Sequence, residues 1–121
     1  MGPITILTVD DSPSMRALLK HALVGQGHVV HDAEDGLIAL DWLNRHIPDL
    51  VITDINMPNM DGLEMLGKIK SMDAYKSVPV IMITTEGNQN KVMEAVSLGA
   101  AGYVRKPFTT EQIKEKLTGL V

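Results

Sequence analysis

The segment Leu50–Gly62, LVITDINMPNMDG, decides the fold class, because it has the pattern of a strand, a turn and the start of a helix. Its first residues, LVIT, are apolar nearly throughout and lack the alternation of a half-exposed strand. Strands that are covered on both faces have this composition, and they occur mainly in parallel sheets. Asp61, followed three residues later by Glu64, is a weak form of a capping box and predicts a helix over Gly62–Met72. The segment therefore predicts one β–α unit of a parallel α/β domain.

Four more short runs rich in β-branched residues flank this unit, and segments with helical periodicity separate them. The runs are Ile4–Val9, His28–Ala33, Val78–Thr84 and Ala101–Val104. A Ser12-Pro13 pair and a Thr109…Gln112 capping box indicate two further helix starts. A helix is also predicted over Asp35–His46, before Pro48. Five β–α units with short connections predict right-handed crossovers, with helices on both faces of the sheet.

Composition narrows the class of protein further. A chain of 121 residues predicts a single domain, which we expect to span residues 1–121 without an output domain. Its 11 basic and 15 acidic residues give a net charge of −4, which argues against non-specific binding to nucleic acid or to a membrane surface. The absence of cysteine excludes disulfides, thiolate metal sites and cysteine nucleophiles. With no long apolar run and no recognisable signal peptide, we expect a cytoplasmic monomer.

Polar residues follow the predicted strands at one edge of the sheet. Asp10 and Asp11 follow the first strand, Asp54 follows the third, Thr84 ends the fourth, and Lys106 comes just after the fifth. In open α/β sheets, binding sites form beyond the carboxyl ends of the strands. Taken singly, each of these residues is more often a turn, a helix cap or an exposed loop residue. Their shared position favours a common site.

Three neighbouring carboxylates repel one another and raise each other's proton affinity, so a fold needs a compensating charge. Mg²⁺ suits such a site, because it prefers oxygen ligands and keeps waters that phosphoryl oxygens can replace. A lysine and a hydroxyl complete a set of groups that is typical of phosphoryl transfer. An aspartate can itself be the nucleophile in such a reaction.

Four motifs occur in the order and at the spacing of a known protein family, and the resemblance covers essentially the whole chain. They are Val9-Asp10-Asp11-Ser12, Asp54-Ile55-Asn56-Met57-Pro58-Asn59-Met60-Asp61-Gly62, Ile83-Thr84-Thr85-Glu86 and Gly99-Ala100-Ala101-Gly102-Tyr103-Val104-Arg105-Lys106-Pro107-Phe108. The chain resembles receiver domains of two-component response regulators, of the single-domain chemotaxis (CheY-like) type. The resemblance implies a flavodoxin-like (βα)5 fold whose five-stranded parallel sheet has the order 2-1-3-4-5.

The resemblance also implies roles for the strand-end residues. Asp54 would accept a phosphoryl group from a histidine-kinase phosphohistidine. Asp11, Asp54 and the backbone carbonyl of Asn56 would bind Mg²⁺ directly, or Mn²⁺ in its place. Asp10 would contribute to the metal site through a water. Asn56 and Glu86 would tune the lifetime of the phosphorylated state.

The remaining implied roles concern switching. Thr84 would donate its hydroxyl to the phosphoryl group, and Lys106 would pair with a phosphoryl oxygen. The peptide bond from Lys106 to Pro107 would be cis. Tyr103 would turn inward when Thr84 moves, which would change the surface of helix four, strand five and helix five. A downstream protein would read that surface, and the flagellar switch is one candidate. The family is not enzymatic, although it phosphorylates itself from small donors and dephosphorylates itself, in some cases with the help of a phosphatase.

Three other functions stay open from the residues alone. A phosphatase of the haloacid-dehalogenase kind also uses an aspartate nucleophile, but its motif needs a second Asp where this chain has Asn56. A flavin mononucleotide carrier would need a phosphate-binding loop after strand one, where Asp10 and Asp11 would repel the phosphate. A phosphate sink that drains a kinase without an output partner would carry the same motifs as a signal carrier.

Overall fold

The structure is a computed structural model that describes residues 3–84, 89–106, 108–118 and 120. Its five strands form one parallel sheet in the order β2-β1-β3-β4-β5. Strands and helices alternate along the chain: β1 Thr5–Val9, α1 Pro13–Val24, β2 Val29–Ala33, α2 Gly36–Leu43, β3 Leu50–Asp54, α3 Gly62–Ser71, β4 Val80–Thr84, α4 Gln89–Ser97, β5 Gly102–Arg105 and α5 Thr110–Leu117. The predicted fold class and strand order are confirmed.

The central strands β3 and β4 are buried at every residue, as their unbroken apolar composition predicts. Their side chains alternate between two hydrophobic clusters, one on each face of the sheet. Val51 belongs to the cluster that also includes residues of α2 and α3. Its neighbours Leu50 and Ile52 belong to the cluster that includes residues of α1 and α5. The core therefore has two layers, which hold the sheet rigid beneath the carboxyl ends of its strands.

Capping residues set most of the helix starts as predicted. The Ser12 hydroxyl accepts a hydrogen bond from the backbone N–H of Met15, at 3.3 Å. Thr109 and Gln112 form the complete capping box at the start of α5. Asp61 accepts from the backbone N–H of Glu64 at 2.8 Å, so the weak aspartate-led box also acts as a cap.

The end of α2 differs from the prediction, because the helix stops at Leu43 and does not reach His46. The N–H of Asn44 still bonds four residues back to Leu40, but the N–H of Arg45 bonds only three residues back, to Trp42. The last turn therefore tightens before Pro48, as helix ends often do. Among the described residues, no helix is long and apolar enough to cross a membrane.

Strand register brings the ends of β1, β3, β4 and β5 to one edge. Asp54 at the end of β3 is level with Ile83 of β4, and Thr84 is level with Arg105 of β5. The N–H of Asp10 bonds to the carbonyl of Ala33, at the end of β2. The polar residues that follow these strands are thus held close together by the sheet itself.

Candidate functional site

The centre of this edge is a buried ion-pair network of one lysine and two aspartates. Lys106 Nζ lies 3.2 Å from Oδ2 of Asp10 and 3.2 Å from Oδ2 of Asp54. The side chains of Asp10, Asp54 and Lys106 are only 2%, 9% and 14% exposed. One ammonium therefore offsets two carboxylates, and the network keeps an excess of negative charge.

Asp11 adds a third carboxylate on the solvent side. It is exposed, whereas Asp10 and Asp54 are buried. One oxygen from each of the three lies within 4.8 Å of the others, a spacing that a single cation can bridge. Three carboxylates against one ammonium make a donor set for a hard divalent cation, and the exposed side leaves room for its waters. The residues present therefore fit Mg²⁺.

The β1–α1 turn fixes the orientation of Asp10. Its Oδ1 accepts from the backbone N–H of Ser12 at 2.9 Å, and its backbone carbonyl accepts from Arg16 at 2.7 Å. These bonds direct Oδ2 to Lys106. The sequence did not single out Arg16, because its contact is to a backbone carbonyl and depends on how the first turn of α1 folds back.

Asp54 is fixed by the start of the β3–α3 loop. Its Oδ1 accepts from the N–H of Ile55 at 2.8 Å, and its backbone carbonyl accepts from the hydroxyl of Thr53 at 2.9 Å. Gly62 lies directly against that carbonyl, and a Cβ added at Gly62 would be 2.1 Å from the carbonyl oxygen. Only glycine allows α3 to start this close to Asp54. The motif contains Gly62, but the reason for a glycine there becomes visible only in three dimensions.

The environment shifts the proton affinities of both partners in the network. Burial raises the pKa of Asp54 above the ordinary value of 3.8, and Asp10 adds to this effect while Lys106 opposes it. Burial by itself would lower the pKa of Lys106, but the attraction of Asp54 and Asp10 raises it overall. A charged lysine therefore faces a carboxylate whose negative charge is incompletely compensated. Such perturbed pairs are typical of functional sites.

The other predicted site residues lie around this network. Thr84 is fully buried at the end of β4, and its carbonyl accepts from the backbone N–H of Lys106 at 2.8 Å. Tyr103 on β5 is half-buried and packs against the hydrophobic cluster between the sheet, α2 and α3. Asn56 is exposed, two residues after Asp54. Glu86 and Pro107 lie outside the described residues.

Comparison with known proteins gives the family. Residues 6–118 match the family model of the response regulator receiver domain. The chemotaxis protein CheY homolog of Campylobacter jejuni is 43% identical over 114 residues, which cover 93% of this chain and 88% of that protein. Chemotaxis protein CheY-3 of Vibrio cholerae is 42% identical over 113 residues, which cover 93% of this chain and 87% of that protein.

Solved structures agree with the sequence relatives. Chemotaxis response regulator CheY4 of Vibrio cholerae superposes with a TM-score of 0.93 at 35% identity, over 99% of this chain and 100% of that one. Response regulator TrrA of Thermotoga maritima, solved in complex with Mg²⁺-BeF, superposes with a TM-score of 0.86 at 36% identity, over 97% and 98% of the two chains.

The fold and the strand-end cluster define a flavodoxin-like signalling domain with an acidic, magnesium-compatible pocket. More particularly, the chain belongs to the response regulator receiver family, and CheY-type chemotaxis proteins are among its relatives. The resemblance inferred from the four motifs is thereby confirmed. These matches support neither the dehalogenase-like phosphatase nor the flavin carrier.

Proposed function

We propose that the protein is a phosphoacceptor switch, in which Asp54 receives a phosphoryl group from the phosphohistidine of a histidine kinase. The observation that carries this proposal is the placement of the Asp54 carboxylate. It lies 3.2 Å from the Lys106 ammonium and within 4.8 Å of Asp10 and Asp11, at the open edge of the sheet. Membership of the receiver family supports the same role.

The transfer exchanges one bond to phosphorus for another. A carboxylate oxygen of Asp54 attacks the phosphorus while the phosphorus–nitrogen bond to the kinase imidazole breaks. The electron pair of that bond stays on the imidazole nitrogen, which takes a proton from water. The product is an acyl phosphate on Asp54. Lys106, whose pKa is raised by Asp54 and Asp10 against the effect of burial, stays charged and neutralises negative charge on the phosphoryl oxygens.

Asp10, Asp11 and Asp54 are the side chains that would hold Mg²⁺, and the family adds the backbone carbonyl of Asn56. When bound, the ion supplies charge neutralisation and orientation of the phosphoryl oxygens. The complex of TrrA with Mg²⁺-BeF supports magnesium as the metal. Mn²⁺ would substitute, because it accepts the same oxygen ligands.

Phosphorylation would add nearly two negative charges beside Asp10 and Asp11. Lys106 would follow the new charge, and the Thr84 hydroxyl would move towards the phosphoryl oxygens. Since the backbones of Thr84 and Lys106 are hydrogen-bonded, a shift at one strand end is transmitted to the other. Tyr103, already half-buried against the core, would occupy the space that Thr84 leaves. The switch is a shift between two packings of the same fold.

The output would be read on the face formed by α4, β5 and α5. Two large apolar side chains of α4, Met93 and Val96, are 61% and 66% exposed there. Exposed apolar side chains of this kind suit a protein partner. The chemotaxis relatives make a flagellar switch component one candidate. Asn56 and Glu86 would set how long the acyl phosphate lasts.

Acetyl phosphate and Mg²⁺ test the phosphoacceptor role. Intact mass spectrometry should show one added phosphoryl group that hydroxylamine removes. Asp54→Asn should show none, whereas Asp41→Asn, on an exposed carboxylate of α2, should behave as the wild type. Equal adducts on wild type and Asp54→Asn would reject Asp54 as the acceptor.

The switch requires a second measurement. Beryllofluoride with Mg²⁺ mimics the acyl phosphate and should shift backbone NMR signals of Thr84, Tyr103 and α4 in the wild type. Asp54→Asn should not respond. Lys106→Ala should still bind Mg²⁺ but lose the response on α4, and an unchanged response in that variant would contradict the proposed relay.

A signal carrier and a phosphate sink differ in their need for the output face. Val96→Asp changes an exposed residue of α4 and should leave phosphorylation of Asp54 intact. In a carrier, this variant should lose the cellular response although it is phosphorylated normally. A normal response would favour the sink.

A further inference from the structure

The β3–α3 loop, which starts directly after Asp54, contains a strained turn. The backbone N–H of Met60 donates to the carbonyl of Pro58 at 2.7 Å, so these residues close a γ-turn around Asn59. Asn59 has a φ of 68°, and within the described part of the chain no other non-glycine residue has a positive φ. γ-Turns with a positive φ are rare and strained, and they persist only where the surroundings hold them.

The side chain of Asn59 shows what holds this turn. Its Nδ2 donates a hydrogen bond of 2.9 Å to Oδ2 of Asp35, the residue that directly precedes α2. The other oxygen of Asp35 accepts from the backbone N–H of Ile38 at 3.0 Å and so caps α2. Asp35 is 7% exposed and Asn59 is exposed, so the bond is partly buried. One buried carboxylate thus ties the helix start and the loop together.

A second contact joins the same two segments. Met60 is 6% exposed, and a Cβ added at Gly36 would lie 3.1 Å from the Met60 side chain. The first turn of α2 therefore packs directly on the residue that follows Asn59. At its far end the loop is closed by a hydrogen bond of 2.7 Å from the Gly62 N–H to the Ile55 carbonyl.

We propose that Asp35 and Asn59 are positioning residues for the divalent cation, acting through the loop that runs from Asp54 past Asn56. This inference rests on the proposed function, which places the metal at Asp10, Asp11 and Asp54. Neither Asp35 nor Asn59 belongs to that ligand set. Their hydrogen bond keeps the strained turn in one conformation, so that the loop meets the ion without rearranging first.

If the bond to Asp35 is lost, only the Met60–Pro58 hydrogen bond and the packing of Met60 still hold the positive φ of Asn59, and the segment between Asp54 and Met60 will populate other conformations more often. Mg²⁺ then binds only the fraction of molecules that keep the original loop conformation, which lowers the apparent affinity for Mg²⁺. Residues that support metal ligands from behind typically change metal affinity by roughly 10- to 100-fold when they are replaced.

Asn59→Asp gives the sharpest test, because it replaces the bond with two facing carboxylates. Calorimetric titration with Mg²⁺, well below the unfolding temperature, should show an affinity lower by roughly tenfold. Added negative charge alone would strengthen binding, so the expected direction is opposite to that of a charge effect. The double variant Asp35→Asn/Asn59→Asp restores an amide-to-carboxylate bond, keeps a residue that can cap α2, and should recover most of the affinity.

Asp35→Ser is a second variant, in case Asn59→Asp folds poorly. Serine still caps α2 but offers no second oxygen to Asn59. The matched control is Glu34→Ser, which removes the same charge at the neighbouring exposed position. Asp35→Ser should weaken Mg²⁺ binding clearly more than Glu34→Ser.

A metal-free measurement tests the conformational cause. Amide hydrogen exchange at Met60 should speed up in Asn59→Asp and Asp35→Ser and stay unchanged in Glu34→Ser, because that N–H closes the turn. Wild-type Mg²⁺ affinity in Asn59→Asp, or no recovery in the double variant, would overturn the inference. Absence of an acyl phosphate on wild-type Asp54 would instead overturn the proposed function, whatever the Mg²⁺ affinities.

Discussion

Asp54 at the end of β3 and Asp35 just after β2 are two buried carboxylates at the same edge of the sheet, yet their pKa values shift in opposite directions. The pKa of Asp35 is lowered, first by the hydrogen bond from the Ile38 N–H and then by the one from Asn59. The pKa of Asp54 is raised, first by burial and then by Asp10, in spite of Lys106. Desolvation is the leading cause only at Asp54, whereas hydrogen bonds to the carboxylate are the leading cause at Asp35, so Asp35 is the more stable anion.

The difference separates a carboxylate with a full set of donors from one whose charge is incompletely compensated. Both oxygens of Asp35 have a donor of their own, one from the α2 backbone and one from Asn59. Asp54 has the Ile55 N–H on one oxygen and must share the Lys106 ammonium with Asp10 on the other. The incompletely compensated charge lies at the edge of the sheet where Asp10, Asp11 and Asp54 could hold a cation. Four measurements test this contrast.

The largest effect is expected from the glycines that begin the two helices. Gly62→Ala places a Cβ against the Asp54 backbone carbonyl, which has no room to move, and should lower the free energy of unfolding by about 3 kcal/mol. Gly36→Ala meets Cβ, Cγ and Sδ of the buried Met60 at 3.1 Å, a milder clash, and should cost about 1 kcal/mol. Urea denaturation without metal measures both. Equal losses would show that the backbone near Asp54 is less tightly packed than the structure indicates.

Asp35→Ala should lower the free energy of unfolding by about 2 kcal/mol near neutral pH, about half from the lost helix cap and half from the lost hydrogen bond to Asn59. Because the pKa of Asp35 is lowered in the folded state, its stabilisation is complete above the ordinary value of 3.8 and is lost as the pH falls through the folded pKa. The difference in the free energy of unfolding between wild type and Asp35→Ala should therefore decrease at acidic pH. Denaturation across that range checks this, and a gap that widens in acid would contradict the assignment.

Asp54→Asn should have the opposite effect and raise the free energy of unfolding of the metal-free protein by about 1 kcal/mol. A raised folded pKa means that the carboxyl favours the folded state at low pH, and that this advantage is lost as the pH rises through the folded pKa. The increase in the free energy of unfolding that Asp54→Asn causes should therefore become larger as the pH rises from acidic to neutral. Asp41→Asn, at an exposed ion pair with Arg45, should change little at any pH. A destabilised Asp54→Asn would mean that Lys106 compensates Asp54 fully.

The smallest effect concerns the lysine itself. Lys106→Met removes the main opposing influence on Asp54, so the pKa of Asp54 should rise further. Titration of the carboxyl carbon by NMR measures this, with Lys20→Met as the control at an exposed lysine of α1. An unchanged Asp54 titration would show that the 3.2 Å contact is not maintained in solution.

The sequence was sufficient to predict the parallel sheet, its strands to within two residues, and the cluster of Asp10, Asp11, Asp54 and Lys106. Strand composition and the geometry of parallel sheets carry that information, because residues after parallel strands share one edge. The end of α2 was mispredicted, since the tightened last turn leaves no clear mark before Pro48.

The supporting contacts of the site could not be predicted in this way. The bond between Asp35 and Asn59 joins side chains 24 positions apart, and neither belongs to an apolar pattern that would mark it. The tight approach of Gly62 to the Asp54 carbonyl depends on the exact path of the loop between them. Such contacts depend on three-dimensional packing. In the sequence they correspond only to small or polar residues, which are common in any loop.

The position of Lys106 affects how strongly the protein without a phosphoryl group would bind Mg²⁺. Its ammonium already stands beside the two buried carboxylates, so an arriving ion gains less than it would at a bare triad of anions. We expect the Lys106 ammonium to weaken Mg²⁺ binding relative to the same carboxylates without it.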